Sequence, residues 1–264
     1  MSPRPGGEAD KLGNRYELAW AVRHALYCLT DGSHSVTLED VDAEVGKGSE
    51  FTFAGAATTE VHQLKRQNGN SNSWSVKALA DHNVFEAATG HVAAGREFHF
   101  VSLVPCRPLQ ELAERARKST DLVEFTQSWL TNELQGVFSQ LAADAFLGSP
   151  QKAWDTLRGM WFKVQDEGDI VRMNAVLAGC QLGGATGELV SLAIGDILLE
   201  NLGRRLTRVE LLELLEAKAI HPLTSDSRRS ASEQLRAVTN SWRESVKREL
   251  LQPRIERTLS DRLV

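Results

Sequence analysis

Thr59-Glu60-Val61-His62-Gln63-Leu64-Lys65 reads as an alternating strand. Residues two apart on a strand share a face, so Gln63 and Lys65 project together while Leu64 turns to the opposite, core side. Working upstream, Ser35-Val36-Thr37-Leu38-Glu39 alternates in the same way, and Glu50-Phe51-Thr52-Phe53 follows a turn at Lys47-Gly48-Ser49 as a second strand. Ala54-Gly55-Ala56-Ala57 is the short connection between the second and third strands. Earlier still, residues 13–29 carry Tyr16, Ala19, Trp20, the stem of Arg23, Leu26 and Tyr27 on one helical stripe, closed by the turn chemistry of Thr30-Asp31-Gly32-Ser33.

Downstream, Gly69-Asn70-Ser71-Asn72-Ser73 is a polar loop and Ser75 an N-cap for a helix over residues 76–88. A last strand over residues 96–104 puts Phe98, Phe100 and Ser102 on one face and stops at Pro105. Residues 11–105 therefore read α-β-β-β-α-β, with a helical crossover that suits a parallel third and fourth strand. After Pro108 nearly everything reads helical, over residues 109–118, 121–147, 150–166, 168–181, 186–202, 207–217 and 229–263. Asp169, Thr207 and Ser230 are the expected N-caps, Thr207 with Glu210 has capping-box spacing, and Gly148 and Gly203 are the expected stops. The expected fold class is α+β, a small mixed sheet flanked by helices, followed by an all-α domain. The division is a disordered segment at residues 1–10, a first domain over 11–107 and a helical domain over 108–264.

The 264 residues, 42% hydrophobic and 25% charged, are ordinary for a soluble globular chain with enough length to bury a core. Cys28, Cys106 and Cys180 form no CxxC pair, which argues against a zinc ribbon or redox motif and suits a reducing cytoplasm. The N-terminus lacks the apolar region of a signal peptide, and no run reaches the ~18 apolar residues of a membrane span. A net charge of −5 supplies no global basic field, which argues against tight, indiscriminate nucleic-acid binding but not against a local basic cleft.

Three features of the first domain belong together: Glu17 on the first helix, Glu50 at the start of the second strand, and Gln63-Leu64-Lys65 on the third. If the second and third strands are neighbours, a carboxylate, an amide oxygen and an ammonium converge. Mg²⁺ is hard and takes oxygen ligands, so Glu50, with the Gln63 side-chain oxygen or the Leu64 carbonyl, is a candidate ligand set. Lys65 would orient or help deprotonate an attacking water and offset charge on a phosphate, and Glu17 would extend the metal shell through water or position Lys65. Asp40, Asp42 and Glu44 are alternative acids if the register is shifted.

These residues resemble the PD-(D/E)xK nuclease superfamily in the branch with QxK. More narrowly, Gly13-Asn14-Arg15-Tyr16-Glu17, Glu50-Phe51 and Val61-His62-Gln63-Leu64-Lys65-Arg66-Gln67 resemble the N-terminal double-stranded-DNA endonuclease domain of bacterial anti-phage effectors, in cyclic-oligonucleotide signalling systems and STAND-type defence proteins. The resemblance covers residues 11–105. It implies a restriction-endonuclease-like sheet and Mg²⁺-dependent cleavage of double-stranded DNA, Mn²⁺ substituting, with Glu50, Gln63 and Lys65 at the core positions and Glu17 as the helix acid.

Arg66 and Lys77 are the basic residues assigned to DNA, and Arg96 and Arg107 are further candidates for a groove. His62 faces away from Gln63 and reads as a structural histidine, and nothing groups His82 and His91 as ligands. Trp154, Leu157, Trp161 and Val164 are spaced as a helix core face. Gly183-Gly184-Ala185-Thr186-Gly187 lacks the ending of a phosphate loop and reads as a turn between helices. Arg residues between 228 and 262 alternate with acids, as on a solvated helix. Leu189, Leu192, Ile194, Ile197 and Leu198, then Val209, Leu211, Leu212, Leu214 and Leu215, are dense enough to serve both a bundle core and a partner. The helical domain is thus assigned to homo-oligomerisation or to contact with a sensor or ATPase module, since the chain has no Walker motif and is read as a fragment or as acting with a separate protein. The alternatives are an inactive scaffold of the same fold and a helical interaction module.

Overall fold

In the computed structural model, which describes residues 6–30, 32–39, 48–66, 72–223 and 233, the alternating stretches become strands. Helix α1 (Gly6–Thr30) leads into β1 (Ser35–Leu38), β2 (Phe51–Ala54) and β3 (Thr59–Lys65). Helices α2 (Val76–Asp81) and α3 (Val84–Ala93) form the crossover to β4 (Glu97–Ser102). There follow α4 (Arg107–Lys118), the short turn α5 (Leu122–Glu124) with a π-helical turn at Phe125–Trp129, α6 (Asn132–Ala145) and α7 (Pro150–Gly159). The chain then returns to the sheet as β5 (Met160–Val164), continues through α8 (Glu167–Gln181), the short β6 (Leu182–Gly183) and α9 (Gly187–Glu200), and adds β7 (Leu206–Thr207), α10 (Arg208–Glu216) and β8 (His221–Pro222).

The six-stranded sheet runs β5-β4-β3-β2-β1-β7. The β1–β2, β2–β3 and β1–β7 pairs are antiparallel, while β3–β4 and β4–β5 are parallel, as the crossover required. Helices cover both faces. Val61, Phe98, Phe100 and Phe162 pack against α2, α3, α4, α6 and α7. Phe51, Phe53, Leu64 and Val101 pack against α1, α8, α9 and α10. The fold is the expected mixed sheet flanked by helices with a helical C-terminal region, but its two outer strands, β5 and β7, come from beyond residue 107. The line between residues 107 and 108 thus runs through both cores.

Several local expectations are corrected. Helix α1 begins at Gly6, so residues 6–10 are helical, and residues 1–5 lie outside the described residues. The expected helix over 76–88 breaks at Asn83, whose φ of 56° is left-handed, and resumes as α3. The expected helix over 121–147 breaks between the π-helical turn and α6, where Thr131 is extended and caps Leu134. The expected helix over 150–166 ends at Gly159, and Trp161 and Val164 belong to β5. Asp166, not Asp169, caps α8: its carboxylate accepts from the Asp169 backbone N–H. Thr207 and Glu210 do form a capping box on α10. The expected Ser230 cap, the helix over 229–263 and the arginines after residue 223 lie outside the described residues.

Gly187, at the first turn of α9, meets α8 at very short range. A Cβ there would lie 1.9 Å from the Ala175 carbonyl oxygen. Gly187→Ala is therefore expected to force the helices apart at a cost of roughly 1–3 kcal/mol, which for a chain of this size lowers Tm by at least ~2 °C. Calorimetry reads this directly, and an unchanged Tm would refute the close crossing. One stripe of α9 is buried through Ile194, Ile197 and Leu198, while Leu189 and Leu192 are exposed at 57% and 65%.

Candidate active site

Glu50 immediately precedes β2, and its backbone N–H donates to the His62 carbonyl of β3 at 2.9 Å, which fixes it beside the Gln63-Leu64-Lys65 end of that strand. One carboxylate oxygen accepts from Lys65 Nζ at 2.9 Å and the other from the Leu64 backbone N–H at 2.9 Å. The Leu64 backbone N–H thus presents a donor to the acid. Burial pushes the Glu50 carboxyl up to about 7, opposed by Lys65 and reinforced by the charge of Glu17. Burial likewise raises Glu17, with Lys65 pulling down and Glu39 pushing up. Glu17, Glu39, Glu50 and Lys65 therefore feel one another across the end of the sheet.

The sequence reading brought Glu17, Glu50 and Lys65 to one place but passed over Glu39. The signal for it was the strand β1 itself: Glu39 follows the last strand residue, and its backbone N–H donates to the Glu50 carbonyl at 2.9 Å. Asp40, Asp42 and Glu44 lie outside the described residues. Gln63 is buried, on the sheet face turned toward α3, and its Oε1 has no hydrogen-bond partner among the described residues. An orphaned buried amide oxygen and a buried carboxylate held above its usual range are both groups that a hard cation would satisfy. The donor chemistry of Glu50 and Gln63 fits Mg²⁺.

Arg66 and Lys77, assigned to DNA, make separate ion pairs. Arg66 Nη1 lies 3.2 Å from Glu167 of α8, which also binds Arg15. Lys77 is exposed on α2 and pairs with Asp81 at 3.3 Å. Neither contacts Glu50 or Lys65 in the ion pairs and hydrogen bonds of the described residues.

A second constellation, missed in the sequence, lies between β3, β4 and α1. His24, His62 and His99 are buried with ring centroids 4.5 Å (His24–His62) and 4.7 Å (His62–His99) apart, beside Glu60 and Glu97. Burial holds all three imidazoles in the neutral form, His24 and His62 well below their usual range and His99 down to about 2. His62 is thus a packed histidine, as expected, but it is packed among other titratable groups.

No family model and no curated protein matches the chain. Among solved structures it is similar to the Cap4 SAVED/CARF-domain containing receptor of Moraxella osloensis, at 10% identity and a TM-score of 0.49 over 77% of this chain and 46% of that one. It is also similar to the Acinetobacter baumannii Cap4 SAVED/CARF-domain containing receptor, at 10% identity and a TM-score of 0.49 over 83% of this chain and 48% of that one. That receptor with the cyclic trinucleotide 3′3′3′-cAAA gives the same identity and TM-score. The chain spans about half the length of the structures that it matches. Among the described residues, no helix is long and apolar enough to cross a membrane.

Proposed function

We propose that the chain is a Mg²⁺-dependent endonuclease of double-stranded DNA acting in anti-phage defence, with its site at Glu50, Gln63 and Lys65. The observation that carries the reading is the convergence of Lys65 Nζ on the buried Glu50 carboxylate, with Gln63, whose buried oxygen is unpartnered, two residues before Lys65 on β3. Glu50 and Gln63 would hold the ion, which when bound polarises a phosphodiester oxygen and acidifies water. The Lys65 ammonium steadies the Glu50 charge and would offset charge developing on phosphate. Glu17, whose carboxyl feels the Lys65 charge, would help to position Lys65 beside the acid.

The test is supercoiled plasmid incubated with and without Mg²⁺, read as nicked and linear products. Nicking without dependence on divalent metal, or none at all in the purified chain with Mg²⁺ or Mn²⁺, overturns the reading. Glu50→Gln keeps the shape of the side chain and removes its charge. We expect cleavage to fall at least about a hundredfold, since loss of an outer partner of a metal ligand alone costs ~10–100-fold, with partial recovery in high Mn²⁺. Because the Glu50 carboxyl titrates near 7, wild-type cleavage should rise as pH increases through that value. If Asp42→Asn inactivates and Glu50→Gln does not, the metal acid is Asp42.

A further inference from the structure

The same three-residue pattern occurs on two neighbouring strands, Glu60-Val61-His62 on β3 and Glu97-Phe98-His99 on β4. Their parallel register sets Glu60 beside Glu97 and His62 beside His99. Val61 and Phe98 point into the core under α2–α4, so both acids and both histidines face α1, which contributes His24. Glu60 Oε2 lies 3.2 Å from His62 Nε2 and 3.4 Å from His99 Nδ1. Both nitrogens are buried and neither has a hydrogen-bond partner among the described residues.

The hydrogen bonds fix all three tautomers, and His62, whose Nδ1 accepts from the Trp20 indole N–H, carries its proton on Nε2. His24 Nδ1 lies 2.9 Å from the Trp20 carbonyl, which only accepts, so Nδ1 carries the proton and Nε2 the lone pair. His99 Nε2 lies 3.2 Å from a Glu97 carboxylate oxygen and donates to it, leaving a bare lone pair on Nδ1. That lone pair faces the Glu60 oxygen, acceptor against acceptor in a buried place, an arrangement that calls for a cation. Lys163 of β5 and Arg117 of α4 supply the positive field around Glu60 and Glu97.

We propose that Glu60, His62, His99 and His24 form a binding site for one transition-metal ion of the zinc class, separate from the Glu50–Lys65 site. Three imidazole nitrogens with one carboxylate suit Zn²⁺, Co²⁺ or Ni²⁺ and not Mg²⁺. Zinc bonds of about 2.0–2.1 Å place neighbouring donors roughly 3.4 Å apart around a tetrahedron, close to the spacing of Glu60 from His62 and His99. The ligand atoms of His24, Glu60 and His62 lie within 4.8 Å of one another, as do those of Glu60, Glu97 and His99; the two sets share only Glu60, so one ion held by all four residues would draw His99 toward His24 and His62. Glu97, bonded to the far nitrogen of His99, is the carboxylate that orients a metal-binding histidine. His62 Nδ1 accepts from the Trp20 indole N–H at 3.3 Å. Binding through Nε2 moves the ring proton to Nδ1, and Trp20 must then turn away. The ion would clamp α1 to β3 and β4.

The experiment is titration of the chelator-stripped full chain with Co²⁺ in excess Mg²⁺, which occupies hard oxygen sites. One Co²⁺ per chain should appear with the intense visible bands of a nitrogen-rich four-coordinate ion, a change in tryptophan emission and a higher Tm. Glu60→Gln should weaken binding by at least about a hundredfold, since loss of an outer partner alone costs ~10–100-fold. Lys163→Met removes a competing positive charge and should tighten it, and Glu50→Gln should leave it unchanged. Absence of the visible bands in folded wild-type chain overturns the site, as do bands lost in Glu50→Gln. Affinity unchanged in both Glu60→Gln and Lys163→Met overturns it equally.

Discussion

Lys65→Ala is expected to lower DNA cleavage by roughly 10²–10³, the loss that follows removal of one preorganised charge partner from a transition state. The ammonium is the only basic group hydrogen-bonded to Glu50 among the described residues. Its removal acts twice. It takes away the charge facing phosphate, and it leaves a buried carboxyl that already titrates near 7 without the group that lowers it. That carboxyl then binds a proton at neutral pH and competes with metal. The fold should survive, since the loss of one partner from a buried hydrogen bond costs about 1–3 kcal/mol. The measurement is a pair: plasmid cleavage and circular dichroism on the same preparation. A folded variant that cuts as fast as wild type removes Lys65 from the chemistry.

The metal-free chain is expected to lose stability as pH falls below about 6.5, the ordinary histidine value. His24, His62 and His99 stay neutral when folded and take up protons when unfolded, so the unfolded state binds more protons over this range. Each such proton costs roughly 1 kcal/mol per pH unit. Glu50 has the opposite sign: its folded value lies above the unfolded one, so it gains stability as pH falls through about 7. Glu17 is raised too, and Glu97, a third exposed, adds less. The balance is at most about two protons, or up to ~3 kcal/mol lost per pH unit between the histidine range and the carboxylate range. Urea midpoints at a series of pH values measure it. Glu50→Gln removes an opposing group and should steepen the acid loss. A flat midpoint over the same range means that the three imidazoles are not buried together.

How legible the fold was depended on whether one period had a competitor. Strands β1 to β4 alternate between turns, and no helical stripe fits them as well. In β5 the two periods collide: Trp154, Leu157, Trp161 and Val164 match a helix face, while Met160-Trp161-Phe162-Lys163-Val164 is also a short aromatic-rich run. Periodicity cannot separate those cases; Gly159 at the junction was the informative residue. The two residues of β7 are too few to carry any period. In the site, Glu50 and Lys65 were legible because strand alternation and adjacency sufficed. The Leu64 N–H contact was not, because it depends on where the strand edge meets Glu50. The histidine cluster needed the β3–β4 register, which no residue within either strand specifies.

The outer strands have a consequence for how the chain comes off the ribosome. β4 carries a paired edge toward β3 and an open one until β5 is made, and β1 waits longer still for β7. At ~5–20 residues per second the nascent sheet spends several seconds with bare edges and with the apolar face of Phe98 and Phe100 only partly covered, by α2 and α3. Glu50 and Lys65 are translated early, yet the sheet that holds them is closed late. A ribosome stalled before residue 160 would present an adhesive edge to chaperones, and the cell would meet the assembled Glu50–Lys65 site only after the helices that complete its scaffold had been delivered.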